Sequence, residues 1–214
     1  MSMNLGYAVA TGIFAVIFVA AILLQIFARR FHPFLYWFAI VASTTVGTTL
    51  ADFADRSLNI GYFGGSSILL CLLLASLATW RFTLGSVSVN TVSTPRTEIF
   101  YWVTIMFSQT LGTALGDWTA DTAGLGYTGG IAIFFGLLAL VVAAYFLTKL
   151  SHVLLFWIAF VLTRPLGAVV GDFLDKPLDH GGLNLSRFSA TATLFVFIVA
   201  CILIFRQRAA RAAH

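Results

Sequence analysis

The segment YWFAIVASTTVGTTLAD, residues 36–52, is written twice more along the chain, as YWVTIMFSQTLGTALGD at 101–117 and FWIAFVLTRPLGAVVGD at 156–172. In each copy Gly47, Gly112 or Gly167 stands ten residues after the Trp, and Asp52, Asp117 or Asp172 follows five residues later. Laid without gaps, residues 36–62 and 101–127 agree at 11 of 27 positions, and 36–62 and 156–182 agree at nine. This is a repeat of about 55 residues, offset by 65 at the one place where the Ser/Thr/Val-rich connector 81–97 intervenes.

Outward from these segments, apolar runs bounded by charge or Gly/Pro clusters predict seven membrane spans at 7–27, 34–55, 62–80, 98–120, 126–147, 153–174 and 188–205. Each repeat is a polar-tipped helix followed by a purely apolar one, so successive repeats begin on the same membrane face and are parallel rather than inverted. The expected fold is all-α, a polytopic transmembrane helical bundle of parallel two-helix repeats. Its parts are a truncated first repeat at 1–33, a second repeat with the connector at 34–97, a third at 98–152, and a fourth with a basic tail at 153–214. Met1-Ser2-Met3-Asn4-Leu5-Gly6-Tyr7 aligns with Arg56-Ser57-Leu58-Asn59-Ile60-Gly61-Tyr62, so the chain opens at a repeat's turn, without the aspartate-bearing helix expected before it. Either an upstream segment supplies that helix, or lipid or a second protomer fills its groove, which makes a homo-oligomer through the first span the expected partner.

Composition agrees with the spans. Of 214 residues, 60% are hydrophobic and only 9% charged, which excludes a soluble globular domain, where about 25% is charged. The net charge of +4 reads as membrane topology and not as nucleic-acid binding. Arg29, Arg30, Arg81, Arg96, Lys149, Arg206, Arg208 and Arg211 fall on one side, against Arg56, Lys176 and Arg187 on the other. The positive-inside rule then puts the N-terminus outside and the C-terminus in the cytoplasm of a bacterial inner membrane. Cys71 and Cys201 sit in apolar runs with no partner motif, and no leader-type cleavage pattern precedes the first run. His32 and His152 occupy equivalent interface positions four residues before the aromatic pair. No nucleophile triad, His-Glu-x2-His or phosphate-binding Gly loop occurs, so an enzyme is not expected.

The Tyr-Trp and Gly-x4-Asp signatures, Gly124-Leu125-Gly126-Tyr127, and Leu162-Thr163-Arg164-Pro165-Leu166-Gly167 resemble an uncharacterised bacterial membrane-anchored family built from domain-of-unknown-function repeats of the 347 type. The resemblance covers essentially the whole chain. It implies eight helices in four repeats, from which this chain departs by lacking the first, and it implies a fold without a chemistry.

Seven of the eight acidic residues, Asp52, Asp55, Asp117, Asp121, Asp172, Asp175 and Asp179, fall in the same part of each repeat; Glu98 is the exception. Spacings of three or four residues put Asp52/Asp55, Asp117/Asp121 and Asp172/Asp175 in pairs on one helical face. One reading makes them helix caps or ion-pair partners of Arg56 or Lys176. The other makes Asp52, Asp117 and Asp172 ligands in a small-cation or proton-coupled transporter, with Asp55, Asp121 and Asp175 as an outer vestibule. Oxygen ligands without Cys suit Mg²⁺, Ca²⁺ or Mn²⁺ as the transported ion, with no resident cofactor. Ser43, Thr44, Thr45, Thr48, Thr49, Ser108, Gln109, Thr110, Thr113 and Thr163 lie on the same helices, and are expected to face the bundle interior or a wet cavity because lipid offers no hydrogen-bond partner.

Gly47-x3-Ala51, Gly112-x3-Gly116 and Gly167-x3-Gly171 are small-residue faces suited to close helix packing. Arg164, deep in its span beside Pro165, needs a counter-charge. It is expected to act as a gating counter-ion, or to pair structurally with a polar neighbour such as Gln109.

Overall fold

The computed structural model describes residues 7–28, 32–53, 61–92, 94–122 and 124–205, without the side chains of Tyr7, Tyr62, Asp121, Thr122 and His180. Asp55 and Arg56 lie outside the described residues, as do Arg29, Arg30 and the basic tail. Among those described the structure is all helical, with no strand. Seven long helices run Tyr7–Phe27 (α1), Pro33–Asp52 (α2), Gly61–Leu84 (α3), Pro95–Asp117 (α4), Gly126–Leu147 (α5), His152–Asp175 (α6) and Arg187–Ile204 (α7).

Local chemistry sets the helix ends. Pro33 and Pro95 open α2 and α4, where a missing N–H loses no intrahelical bond. Ahead of α4, Thr94 and Thr97 exchange backbone-to-hydroxyl bonds of 3.0 and 3.3 Å, a reciprocal cap of the first turn. Ser186 Oγ caps α7 by accepting from the Ser189 N–H at 3.1 Å. At the other end of α3, Gly85 takes φ +75° and donates its N–H to the Arg81 carbonyl at 3.0 Å. That cap carries α3 four residues past the expected boundary at residue 80.

Among the described residues, six of the seven long helices are long and apolar enough to cross a membrane; α4 is not, because Arg96, Glu98, Ser108, Gln109 and several threonines dilute its hydropathy. The polar helix is also a strongly buried one: seven consecutive residues, Ser108–Ala114, are all buried. The apolar helices show the reverse, with Phe82 87% and Phe188 89% exposed, as side chains meant for lipid would be.

Two compact units divide the chain, the first running through Ala114 and the second starting at Leu115. In the first, α1 packs along α2. Phe18 and Tyr36 both lie against Trp102 of α4, with ring centroids 6.1 and 6.0 Å away, and Trp80 of α3 stacks on Phe100 at 6.4 Å. Tyr36 and Tyr101, near the starts of α2 and α4, share a hydrogen bond of 2.7 Å, and Thr48 and Thr113, near their ends, one of 3.4 Å. In the second unit α5 packs along α6, and Ala120, Tyr127, Phe134 and Val169 form a core that Leu115, Ile131, Leu162, Leu166 and Phe173 surround.

Candidate functional site

Gly47 touches the backbone of α4. A Cβ built on it would lie 2.9 Å from Thr110 N and 3.0 Å from the Gln109 carbonyl carbon, distances only glycine tolerates. Gly116 does the same in the second unit, where a Cβ would meet the Ala168 Cβ at 2.9 Å and the Pro165 carbonyl oxygen at 3.5 Å. Gly112 is buried. Gly167 and Gly171 are different: an added Cβ at either meets no heavy atom within 4 Å, so no neighbour demands their small size.

The approach at Gly116 has an electrostatic consequence. It sets the next residue, Asp117, beside α6, and the Asp117 charge acts on the Arg164 guanidinium. Arg164 Nε is itself buried, and the charge needs such a counter-charge in an apolar surrounding. Asp117, an aspartate of the repeat signature, is thus a charge of opposite sign that acts on Arg164. Helix α6 runs unbroken from His152 to Asp175 with Pro165 inside it. Since proline has no N–H, the carbonyl four residues earlier, that of Val161, loses its helical donor.

Gln109 lies in the first unit, 5% exposed, with its Oε1 buried and without a hydrogen-bond partner; Ser108 Oγ, fully buried, is in the same condition. The hydroxyls around them are partly self-satisfied. Ser43, Thr44, Thr45, Thr48, Thr49, Thr110 and Thr113 donate to carbonyls three or four residues back in their own helices. The same back-bonding serves Thr163, which is exposed and not in the bundle interior, and bonds the Phe160 carbonyl at 2.8 Å.

The acidic residues divide. Asp52 closes α2 in the first unit, followed by Phe53, whose N–H is shared between the Leu50 and Thr49 carbonyls. Asp117, Asp172 and Asp175 belong to the second unit. Asp121 falls in the π-helical turn Trp118–Thr122 that follows α4, its side chain outside the description. Among the described residues no group of three or more His, Cys, Asp or Glu side chains comes together in a way that could hold a metal ion.

Asp175 has a structural partner that the sequence reading did not name. Its Oδ2 lies 3.4 Å from Arg187 Nε, across the turn between α6 and α7. The same turn folds back on the end of α6, where the N–H groups of Leu183, Asn184 and Leu185 donate to the carbonyls of Phe173, Lys176 and Leu174 at 2.7–2.9 Å. These bonds satisfy carbonyls that a helix end leaves open. The only advance sign was a basic residue at the start of the next helix.

Apolar helices of membrane-crossing length, with a threefold recurring signature, define a multi-pass helical protein of the membrane class. The chain belongs to the family of the Repeat of Unknown Function (DUF347), whose model matches residues 35–85, 100–151 and 155–209. Comparison with curated proteins and with solved structures gives no match.

Proposed function

We propose that the protein is a seven-span transporter of a small cation, the proton foremost, with Asp117 as its ion-exchanging carboxylate and Arg164 as the internal counter-ion. The observation that carries this is the close approach of the two helices at Gly116, where an added Cβ would meet the Ala168 Cβ at 2.9 Å and the Pro165 carbonyl oxygen at 3.5 Å, so that the α4 segment ending in Asp117 packs on the stretch of α6 that bears Arg164. A fixed positive charge beside a carboxylate opposes a divalent cation, whereas a proton or monovalent ion can take the guanidinium's place. Mg²⁺, Ca²⁺ and Mn²⁺ are accordingly the secondary cargo. Parallel repeats are supported by the start-to-start Tyr36–Tyr101 and end-to-end Thr48–Thr113 contacts. The seventh span is α4, whose polar stretch Ser108–Ala114 is buried, and the basic residues orient the chain in a bacterial inner membrane with its C-terminus inside.

Reconstituted in proteoliposomes under an imposed pH gradient, the wild type is expected to move protons and Asp117→Asn to abolish that movement. An unchanged rate in the variant, or no flux of protons or of the three divalent ions in the wild type, defeats the reading.

A second reading, a non-transporting structural or sensory protein, draws support from the Asp175–Arg187 bond, where an acidic residue of the signature serves to hold a helix end. On that reading Asp117→Asn alters stability and no flux exists to lose.

A further inference from the structure

Helix α4 carries a polar group on every turn. Starting from Glu98, steps of three or four residues reach Tyr101, Thr104 and Ser108, and from the adjoining Gln109 the same step reaches Thr113 and then Asp117. Neighbours at these spacings adjoin on a helix surface, so the series forms two stripes that change over between Ser108 and Gln109, consecutive residues about 100° apart round the helix. Neither related helix repeats the pattern: the corresponding positions of α2 hold Pro33, Tyr36, Ala39, Ser43, Thr44, Thr48 and Asp52, and those of α6 hold Val153, Phe156, Ala159, Thr163, Arg164, Ala168 and Asp172.

Three observations distinguish this series from ordinary helix polarity. Glu98 Oε2, Ser108 Oγ and Gln109 Oε1 are buried and accept or donate no hydrogen bond. Between them, hydroxyls meet across helices: Tyr101 with Tyr36 at 2.7 Å, Thr104 with Ser76 of α3 at 2.8 Å, and Thr113 with Thr48. Finally, the carboxylates at the two ends are 19 residues apart (117 minus 98), roughly 28 Å at ~1.5 Å per residue, close to the ~30 Å of a bilayer's apolar layer.

We propose that α4 is a proton path, with Glu98 as the carboxylate at its cytoplasmic mouth and the buried hydroxyls as its relay toward Asp117. This rests on the transport reading above and extends it to a route and an entry group. Within each stripe, steps of three or four residues rise about 4.5–6 Å, and one water making two hydrogen bonds of ~2.8 Å bridges roughly that distance; at the changeover, Ser108 and Gln109, with Cα atoms ~3.8 Å apart, both offer unpartnered buried oxygens to a water that joins the stripes. A proton taken up by the Glu98 carboxylate passes to a neighbouring water or hydroxyl oxygen. Each oxygen that accepts a proton releases its own to the next, and Asp117 receives the last, so no atom is gained or lost along the chain. Seryl, threonyl and tyrosyl hydroxyls both donate and accept, as relay requires; the Gln109 carbonyl only accepts, and holds a bridging water in line.

The test is proton uptake into proteoliposomes containing a trapped pH-sensitive dye. Glu98→Gln and Thr104→Val are expected to slow uptake tenfold or more, Thr104→Ser, which keeps the hydroxyl, to restore it, and Thr193→Val, on α7, to leave it unchanged. If Asp117→Asn stops uptake while Glu98→Gln and Thr104→Val run at the wild-type rate, the path is wrong and the transport reading stands. Equal slowing by Thr104→Val and Thr104→Ser marks a packing role and also overturns the path. Absence of proton uptake by the wild type overturns both.

Discussion

Tyr36 and Tyr101, separated by 65 residues in the chain, share a hydrogen bond of 2.7 Å between their hydroxyls, and 65 is also the offset that aligns their two repeats. Thr48 and Thr113 obey the same relation at 3.4 Å. Both bonds join residues that hold the same position in their repeats, one pair near the starts of α2 and α4 and the other near their ends.

Removing one hydroxyl of the tyrosine pair strands the other in a buried place. Tyr36→Phe is expected to destabilise by about 1–2 kcal/mol, within the range for interhelical bonds in membranes and stranded buried groups. The double variant Tyr36→Phe/Tyr101→Phe should then be less destabilised than the sum of the singles. Denaturation in detergent across the four-member cycle measures the coupling, and strict additivity would show that the pair contributes nothing.

The glycines separate by what their missing Cβ would touch. Gly47→Ala drives a methyl against the α4 backbone and is expected to cost about 1–3 kcal/mol, as overpacking does. Gly171→Ala meets nothing within 4 Å and should be neutral or stabilising by up to about 1 kcal/mol, the helix preference of Ala over Gly. Thermal unfolding of both purified variants checks the order; equal losses would contradict it.

Arg164 and Asp117 should behave as a pair. Arg164→Met leaves the half-buried Asp117 carboxylate without that counter-charge and is expected to lower stability by about 1–3 kcal/mol. Adding Asp117→Asn should recover part of the loss, since neutralising both ends leaves no charge without its counterpart. Detergent unfolding midpoints of the single and double variants decide it, and a double variant as unstable as the sum rules out the pairing.

The Asp175–Arg187 bridge lies at the protein's edge, with side chains 27% and 69% exposed. Arg187→Gln is therefore expected to cost only about 0.2–1 kcal/mol, and the effect should shrink as salt rises toward 1 M, where screening reaches ~3 Å. A loss above 3 kcal/mol at high salt would mean that the turn depends on Arg187 for something other than charge.

Much of the fold is legible in the residues. Hydropathy marks α1–α3 and α5–α7, the threefold YW/FW-to-Gly-to-Asp spacing marks the repeat, and Pro33, Pro95 and Gly85 mark helix ends, because each depends on local backbone chemistry. The polar character of α4 is equally visible at Glu98, Ser108 and Gln109, though not its meaning. That the stretch Ser108–Ala114 is buried is something only the packed structure reveals.

Contacts between distant residues were decided by tertiary structure alone. Gly47 and Gly167 hold the same position in their repeats, yet one is pressed against α4 and the other meets nothing, because the two helices have different neighbours. Asp175 bonds Arg187 because the α6–α7 turn folds back on a helix end, and Asp117 acts on Arg164 because Gly116 lets α6 approach. A repeat specifies the same side chains on the same helical face each time. Which partner that face meets depends on how the helices are rotated and packed, and that is a property of the assembled chain.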